Sequence, residues 1–253
     1  MLLENLSWPE VKKLKLANRL VLFPLGSFEQ HGPHLPLTTD TDIVTAIARR
    51  IEEKRPESIL CLPTLWPGHS THHLFFPGTL SVRQMPYIHL VIELCHSIVK
   101  MGGQKVFLLN GHGGNDVPLR AALRELKSDF PKVQFVFASY WSLGAQSIKA
   151  VRESELGGVG HACEMETSIM LHLHPERVKP HLAKRDGQKY KDVYRKADMQ
   201  YARPIYFVNE FHEVSETGTI GHPELATAEK GKAFLDGIVK EVLAFMDAFA
   251  KWR

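Results

Sequence analysis

The sequence has few cysteines and no long apolar run. The chain of 253 residues contains Cys61, Cys95 and Cys163, with no CxxC pair among them, which argues against a thiolate zinc site or a disulfide framework. Two of the three lie within apolar runs, as free buried thiols do. No stretch approaches the length of a membrane span, and the N-terminus lacks the apolar core of a signal peptide. We therefore expect a soluble protein in the reducing cytoplasm, without a membrane partner.

Several well-known functional motifs are also missing. The sequence contains no dinucleotide-binding glycine loop, no GxxxxGK[ST] and no HExxH, and Ser27 does not lie within G-x-S-x-G. The formal net charge is only +3, and the basic residues are spread along the chain instead of forming a stripe. Nucleic acid is therefore not an expected partner.

Short apolar runs that alternate with helical patterns predict an α/β fold. The candidate strands are RLVLFPLG (19–26), SILCLPTL (58–65), KVFLLNG (105–111) and VQFVFASYW (133–141). Runs of this kind are typical of parallel strands that are buried on both faces. Because amphipathic segments separate them, we predict a mostly parallel sheet covered by helices on both faces, in one domain spanning residues 1–253.

Polar clusters follow three of these strands, at the edge where open α/β sheets bind ligands. The clusters are GSFEQHGPHLPLTTDTD, PGHSTHHLFFPGT and NGHGGND. A single loop histidine is more often a surface residue than a ligand, and NGHGGN alone could be a tight turn. The clustering of histidines at one predicted edge favours a metal site instead.

The residues in the first and third clusters form a mixed set of carboxylates and imidazoles. Glu29 and His31 are two positions apart, so their side chains point the same way on an extended segment. Asp40 follows at the start of the next predicted helix, and His112 lies in a glycine-flanked turn. Such a set suits zinc or manganese, with iron possible, and a bridging aspartate could hold two ions about 3.5–4 Å apart that activate water.

A further cluster, GHACEMETSIMLHLHP, begins at residue 160 and continues into a predicted helix. Its acidic first turn is ordinary complementarity to the helix dipole. His161, Glu164 and Glu166 could instead provide a fifth ligand and a proton shuttle, if the imidazole titrates near neutral pH. The two glutamates lie about 200° apart around a helix, so only one should face the ions.

Taken in order, these motifs resemble the creatininase family. The resemblance rests on five segments that span nearly the whole chain: GSFEQHGPHLPLTTDTD, FPGT, NGHGGN, HACEMETS and TGTIGHPELATAEKG. It implies a three-layer α/β/α sandwich, a homohexamer and a two-metal amidohydrolase site.

Carried over to this sequence, the resemblance assigns roles to particular residues. Glu29 and His112 would hold one ion, His31 the other, and Asp40 would bridge them. His161 would protonate the leaving nitrogen. The candidates for contact with a small amide substrate are Ser70 and His73.

The sequence departs from creatininase itself at two places. Creatininase has a metal-binding glutamate where this chain has Gly114, so another carboxylate must replace it; we predict Glu164, with Glu166 in reserve. The tryptophan and aspartate that creatininase folds over its substrate correspond to Gly157 and Gly158. We therefore expect cleavage of a C–N bond in a small, possibly cyclic, amide or formamide other than creatinine. The alternatives are peptide trimming, a non-amide reaction on a cyclic polyol derivative, and a non-catalytic metabolite-binding protein with structural ions.

Overall fold

A parallel sheet of four strands forms the centre of the computed structural model, which describes residues 1–187, 190, 192, 194–195, 198–201 and 204–252. The strands are β1 (Leu20–Leu25), β2 (Ile59–Cys61), β3 (Lys105–Asn110) and β4 (Gln134–Ser139), in the order β2-β1-β3-β4. All of them lie within the predicted runs. The parallel pairing confirms the predicted sheet.

Side chains along the two central strands alternate between the faces of the sheet. Leu20 and Leu22 of β1 belong to one core, together with Phe107 of β3, whereas Val21 and Phe23 belong to the other. Successive side chains of a strand point to opposite faces. An unbroken apolar run therefore supplies two cores at once.

Helices cover both faces of the sheet. They are α1 (Trp8–Lys13), α2 (Thr39–Lys54), α3 (Gln84–Lys100), α4 (Asp116–Asp129), α5 (Tyr140–Leu143), α6 (Ala145–Val151), α7 (Glu164–Leu173), α8 (Phe211–Val214) and α9 (Ala228–Phe249). The apolar stripes of α2, α7 and α9 pack on one face, and those of α3 and α4 pack on the other. This arrangement confirms the three-layer α/β/α prediction. Among the described residues, no helix combines the length and apolar character needed to span a bilayer.

An antiparallel pair, β5 (Val159–His161) with β6 (Ile220–Gly221), lies outside the central sheet and was not predicted. The segment that begins at residue 160 was expected to enter a helix directly. Instead, His161 ends β5, Ala162 adopts a positive φ of 49°, and α7 begins at Glu164. Strands of two and three residues leave no periodic signal in a sequence.

The strand order creates a cleft at one edge of the sheet. The chain leaves the carboxyl end of β1 toward β2, and it leaves the carboxyl end of β3 in the opposite direction, toward β4. In open α/β sheets, a ligand binds where the connections diverge in this way. The carboxyl ends of β1 and β3 are therefore the place to examine for a site.

Candidate metal centre

The predicted ligands Glu29, His31, Asp40 and His112 come together in this cleft. Glu29 and His31 lie in the loop after β1, Asp40 is the second residue of α2, and His112 follows β3. All four side chains are buried. Such burial of two carboxylates is costly unless positive charge accompanies them.

Potential ligand atoms in the cleft converge in three groups, with the members of each group within 4.8 Å of one another. The groups are Glu29, Asp40 and His112; His31, Asp40 and Glu166; and Glu29, His31 and His161. Asp40 uses a different oxygen in each of two directions: Oδ1 lies 3.0 Å from His31 Nε2, and Oδ2 lies 3.0 Å from His112 Nδ1. A bridging carboxylate would have this arrangement.

Two carboxylate oxygens in the centre lack a hydrogen-bond partner among the described residues. They are Glu29 Oε1 and Asp40 Oδ2, and both are inaccessible to solvent. His112 Nδ1 lies 3.0 Å from Asp40 Oδ2 and 3.1 Å from Glu29 Oε2. Ligands that point toward a common ion approach one another in this manner. The donor set therefore fits divalent ions such as zinc or manganese.

Backbone carbonyls fix which ring nitrogen of each histidine faces the centre. His31 Nδ1 lies 3.2 Å from the carbonyl oxygen of Glu29, and His112 Nε2 lies 3.1 Å from that of His69. A carbonyl only accepts, so these nitrogens donate, and in the neutral rings His31 Nε2 and His112 Nδ1 would carry the lone pairs that a metal ion needs. Metal-binding histidines are commonly oriented in this way.

The carboxylates of the centre raise the pKa of two of its imidazoles. Burial favours the neutral ring of His31, but the Asp40 carboxylate outweighs it and raises the pKa of His31 to about 9. Burial likewise opposes the charge on His112, yet Glu29 and Asp40 hold its pKa well above the usual value. A divalent ion would compete with these protons for the same nitrogens.

The expected fifth ligand, Glu164, points away from the centre. Its Oε1 accepts from the backbone nitrogen of Glu153 at 2.9 Å and from Lys230 Nζ at 2.9 Å, and its Oε2 accepts from the backbone nitrogen of Ser154 at 2.9 Å. Glu166, the reserve candidate, lies with His31 and Asp40 instead. The geometry therefore favours Glu166, the reserve candidate, over Glu164, and the identity of the fifth ligand stays a prediction.

Glu166 has few partners of its own. Its Oε2 accepts from the backbone nitrogen of Cys163 at 3.4 Å and from Cys163 Sγ at 3.6 Å, and both contacts are long. Burial raises the pKa of Glu166 to about 7. A nearby cation would lower the pKa of Glu166 again, because opposite charge favours the ionised carboxylate.

His161 places one ring nitrogen toward the carboxylates. Its Nε2 lies 2.8 Å from the carbonyl oxygen of Gln30, to which it donates, and its Nδ1 lies 3.7 Å from Glu29 Oε1. Burial, reinforced by the charge of His31, lowers the pKa of His161 to about 3. This pKa favours the neutral ring, and the role of His161 as a proton donor stays a prediction.

Ser70 and His73 both border the centre. Ser70 Oγ lies 2.6 Å from Ser27 Oγ and 3.1 Å from His112 Nε2, which places it behind the ring of His112. His73 Nε2 lies 3.2 Å from Glu29 Oε1. Contact of either residue with a substrate stays a prediction.

Phe211 of α8 covers the centre, and sequence analysis missed it. Its ring centroid lies 3.8 Å from that of His73 and 4.7 Å from that of His161. With Phe211 in this position, Glu29 and His31 are fully buried. A lone aromatic residue in a helix of four residues gives no pattern from which such a contact could be predicted.

The backbone and side chains around Gly114 leave no room for a glutamate at this position. A Cβ on Gly114 would lie 2.2 Å from the carbonyl oxygen of His69 and 2.7 Å from Cε1 of His72. A side chain at this position therefore does not fit. Similarly, a Cβ on Gly158 would lie 2.3 Å from Cβ of Ser154.

Fold and site together define an α/β protein with a carboxylate–imidazole centre for divalent ions. The family profile described as creatininase, creatinine amidohydrolase, matches residues 4–246. The chain therefore belongs to the creatininase family, a family of hydrolases.

Curated relatives within this family differ in what they act on. The chain is 32% identical to the mycofactocin precursor peptide peptidase of Mycobacterium ulcerans, over 92% of this chain and 85% of that protein. It is 30% identical to the 3-dehydro-scyllo-inosose hydrolase of Thermotoga maritima, over 91% and 78%. It is 28% identical to the creatinine amidohydrolase of Pseudomonas putida, over 94% and 93%.

Solved structures of the family share the whole fold. A putative creatinine amidohydrolase from Bacteroides fragilis is 25% identical, with a TM-score of 0.79 over 100% of this chain and 97% of that one. A Zn–Zn creatininase variant and a manganese creatininase are each 25% identical, with TM-scores of 0.79 over 98% of both chains.

Proposed function

We propose that this protein is a two-metal amidohydrolase that cleaves a C–N bond of a small amide or formamide other than creatinine. The observation that carries the proposal is the convergence of three buried carboxylates and two imidazoles whose free ligand atoms point at common positions. Two of the carboxylate oxygens have no other hydrogen-bond partner in the described structure. Family membership supports the reaction class.

The residues of the centre divide into two ligand sets. Glu29, Asp40 and His112 would hold one ion, and His31, Asp40 and Glu166 would hold the other. When bound, two divalent ions lower the pKa of water and polarise a carbonyl group. The protein holds the five side chains rigidly, through burial and through the carbonyls that fix the ring nitrogens.

His161 would move the proton that amide cleavage requires. Its Nδ1 faces the centre with a free lone pair, because Nε2 donates to the carbonyl of Gln30. Nδ1 would take a proton from the attacking water and deliver it to the leaving nitrogen, so the proton count balances. A positioned imidazole contributes about 10²–10⁴-fold in rate.

The His161→Gln variant tests this role apart from metal binding. We expect turnover to fall by about 10²–10⁴-fold while metal content stays at the wild-type level. Metal analysis and steady-state kinetics on the same preparation provide the comparison. Full turnover in the variant would remove His161 from the reaction.

Substrate choice is inferred from the departures from creatininase. The residues that cover the substrate in creatininase correspond to Gly157 and Gly158, where no side chain is present. In this chain Phe211 would cover the substrate instead, since its ring centroid lies 3.8 Å from that of His73. These differences support a substrate other than creatinine.

Peptide trimming is the second candidate. It is favoured by the 32% identity to a peptide peptidase over 92% of this chain. The two candidates predict different activities in one panel of formamides, lactams and short peptides, assayed with the zinc- or manganese-loaded protein. Release of formate or ring opening identifies the first candidate, and a new peptide amino group identifies the second.

A metabolite-binding protein with structural ions is the non-catalytic alternative. It predicts full metal occupancy without turnover of any compound in the panel. A product whose mass shows neither added water nor a freed amine would instead indicate a non-amide reaction, as the name of the inosose hydrolase suggests for that relative. Either result would contradict the proposed amidohydrolase.

We also propose that the protein acts in the cytoplasm as a homohexamer of one-domain subunits. Three unpaired, buried cysteines support a reducing compartment. Apolar side chains that follow β2 are exposed, among them Phe75 at 66% and Leu80 at 54%, and a subunit contact would cover them. Light scattering on the purified protein measures the subunit number.

A further inference from the structure

Gln30 lies between the metal-ligand candidates Glu29 and His31, and it contacts two other imidazoles of the centre. Its side-chain Nε2 lies 2.9 Å from His73 Nδ1 and 3.2 Å from His161 Nε2, and its backbone carbonyl oxygen lies closer to His161 Nε2, at 2.8 Å. The residue is 5% exposed. One buried glutamine is therefore in contact with both rings.

The orientation of the Gln30 amide is determined by two backbone groups. Its Oε1 accepts from the backbone nitrogen of Gly32 at 2.9 Å, and its Nε2 donates to the carbonyl oxygen of Gly218 at 3.1 Å. An N–H only donates and a carbonyl only accepts. A flipped amide would face both groups with the wrong atom.

This orientation determines the tautomer of His73. Because Gln30 Nε2 is a donor, His73 Nδ1 must accept, and the ring proton must be on Nε2. His73 Nε2 lies 3.2 Å from Glu29 Oε1. The ring N–H of His73 therefore lies on the side of the ring nearest Glu29, although it makes no hydrogen bond to Oε1.

The backbone of the same residue determines the same Nε2-protonated tautomer in His161, but there the other ring nitrogen faces the centre. The carbonyl of Gln30 accepts from His161 Nε2, so His161 Nδ1 is unprotonated and faces Glu29 Oε1 at 3.7 Å. One ring therefore presents a proton to the centre and the other presents a lone pair.

Gly218 explains part of the TGTIGHPELATAEKG motif, which the metal centre does not use. It has a φ of +84°, and a Cβ at this position would lie 2.0 Å from Gln30 Oε1. Only glycine leaves room for the amide of Gln30 in this orientation.

We propose that Gln30 is a positioning residue that sets the Nε2-protonated tautomer in both His73 and His161, the first through its side-chain amide and the second through its backbone carbonyl, so that one ring turns a proton and the other a lone pair toward the centre. The consequence for turnover rests on the proposed amidohydrolase function. The tautomers themselves are properties of the protein without substrate.

Nitrogen NMR of the full-length zinc-loaded protein, with ¹⁵N-labelled histidine, tests the tautomers directly. His73→Gln and His161→Gln variants assign the two rings by loss of their signals. We expect His73 to be protonated at Nε2 only, with Nδ1 as an acceptor, and His161 to be protonated at Nε2 with a free Nδ1. A protonated Nδ1 on His73 in the wild-type protein would overturn the proposal.

The Gln30→Met variant keeps the size of the side chain and removes its donor and acceptor. We expect His73 to populate both tautomers and His161 to keep its own, because the backbone carbonyl remains. Turnover should fall by about 10–100-fold, as for other groups that orient active-site ligands, with a smaller change in KM and unchanged metal content. An unchanged His73 tautomer would contradict the role of the Gln30 side chain.

The Gln200→Met variant is the matched control, because it removes a partly buried glutamine amide outside the centre. Gln200 Nε2 donates to the carbonyl oxygen of Trp141 at 2.9 Å, and we expect Gln200→Met to keep wild-type turnover and tautomers. If Gln30→Met does not fold, Gly218→Ala displaces the same amide, and the wild-type spectrum is decisive without either variant. A null substrate panel with the expected tautomers would contradict the proposed function and leave this inference intact.

Discussion

Glu164 and Glu166 lie on two sides of helix α7 and differ in the groups that surround their carboxylates. On one side, the Glu164 carboxylate is 0% exposed and accepts from two backbone N–H groups and from Lys230. On the other side, Glu166 is 1% exposed, and its nearest ligand atoms belong to His31 and Asp40. Both are buried acids in the first turn of one helix. Burial therefore does not distinguish a structural carboxylate from a metal ligand.

The two glutamates differ in the number and strength of the hydrogen bonds that their carboxylates accept. The partners of Glu164 favour its ionised form, and they lower its pKa even though burial acts against them. Glu166 accepts two long contacts from Cys163, and burial raises its pKa to about 7. A buried acid that the protein leaves short of donors is one that can serve a cation.

The largest effect is expected from the Asp40→Asn variant, because Asp40 contributes an oxygen to both ligand sets. We expect turnover to fall about a thousandfold, which corresponds to losing about 4 kcal/mol of transition-state stabilisation by the ions. Metal content should fall below one ion per subunit. Kinetics and elemental analysis measure the two quantities.

Asp42→Asn is the matched control on the same helix. Asp42 Oδ2 accepts from Thr38 Oγ1 at 2.6 Å and from Arg177 Nη1 at 2.8 Å, outside the centre. Its variant should keep metal and turnover. Equal losses in both variants would mean that damage to α2, and not ligand removal, causes the effect.

The Glu164→Gln variant should have a lower free energy of unfolding and an unchanged metal content. Removing a charge that is paired and hydrogen-bonded in the interior should cost about 2 kcal/mol of unfolding free energy, since Lys230 keeps Glu153 as a partner. The expected fall in Tm is roughly 6 °C, measured by calorimetry on the metal-loaded proteins.

The pH dependence of this loss follows from the lowered pKa of Glu164. A lowered folded-state pKa contributes stability above the ordinary value of 4.5, and that stability is lost as the pH falls through the folded-state value. The Tm difference between Glu164→Gln and wild type should therefore narrow below pH 4.5. A difference that grows in acid would contradict the assigned pairing.

Metal uptake should release protons, which is the smallest of the expected effects. In the ion-free protein, Asp40 raises the pKa of His31 to about 9, and Glu29 raises that of His112, so both rings are protonated at pH 7. Zinc binding should expel about two protons per subunit, and apparent affinity should rise with pH. Titration calorimetry of chelator-treated protein in buffers of different ionisation enthalpy counts these protons; buffer-independent heats would disagree.

The sheet and its helices were predictable because buried strands and amphipathic helices place apolar residues at regular spacings in the sequence. Ile43 and Ile47 of α2, for example, recur at helical spacing and lie in one core. The short β5–β6 pair leaves no such record, and neither does Phe211, whose role depends on a contact between distant segments.

The candidate site was predictable only in part. Glu29, His31, Asp40 and His112 follow strands whose ends must meet, so topology alone brings them together. The choice between Glu164 and Glu166 depends on where α7 begins and on Lys230, which lies 66 positions away in sequence from Glu164. The spacing of residues within HACEMETS predicts neither the start of α7 nor the contact with Lys230.

Metal content per subunit in matched Glu166→Gln and Glu164→Gln proteins tests the central claim most directly. Both variants neutralise one buried acid of the same helix, and only Glu166 belongs to a ligand group. The account predicts two ions in wild type and Glu164→Gln, and about one in Glu166→Gln. Two ions retained in Glu166→Gln, with one lost from Glu164→Gln, would contradict it.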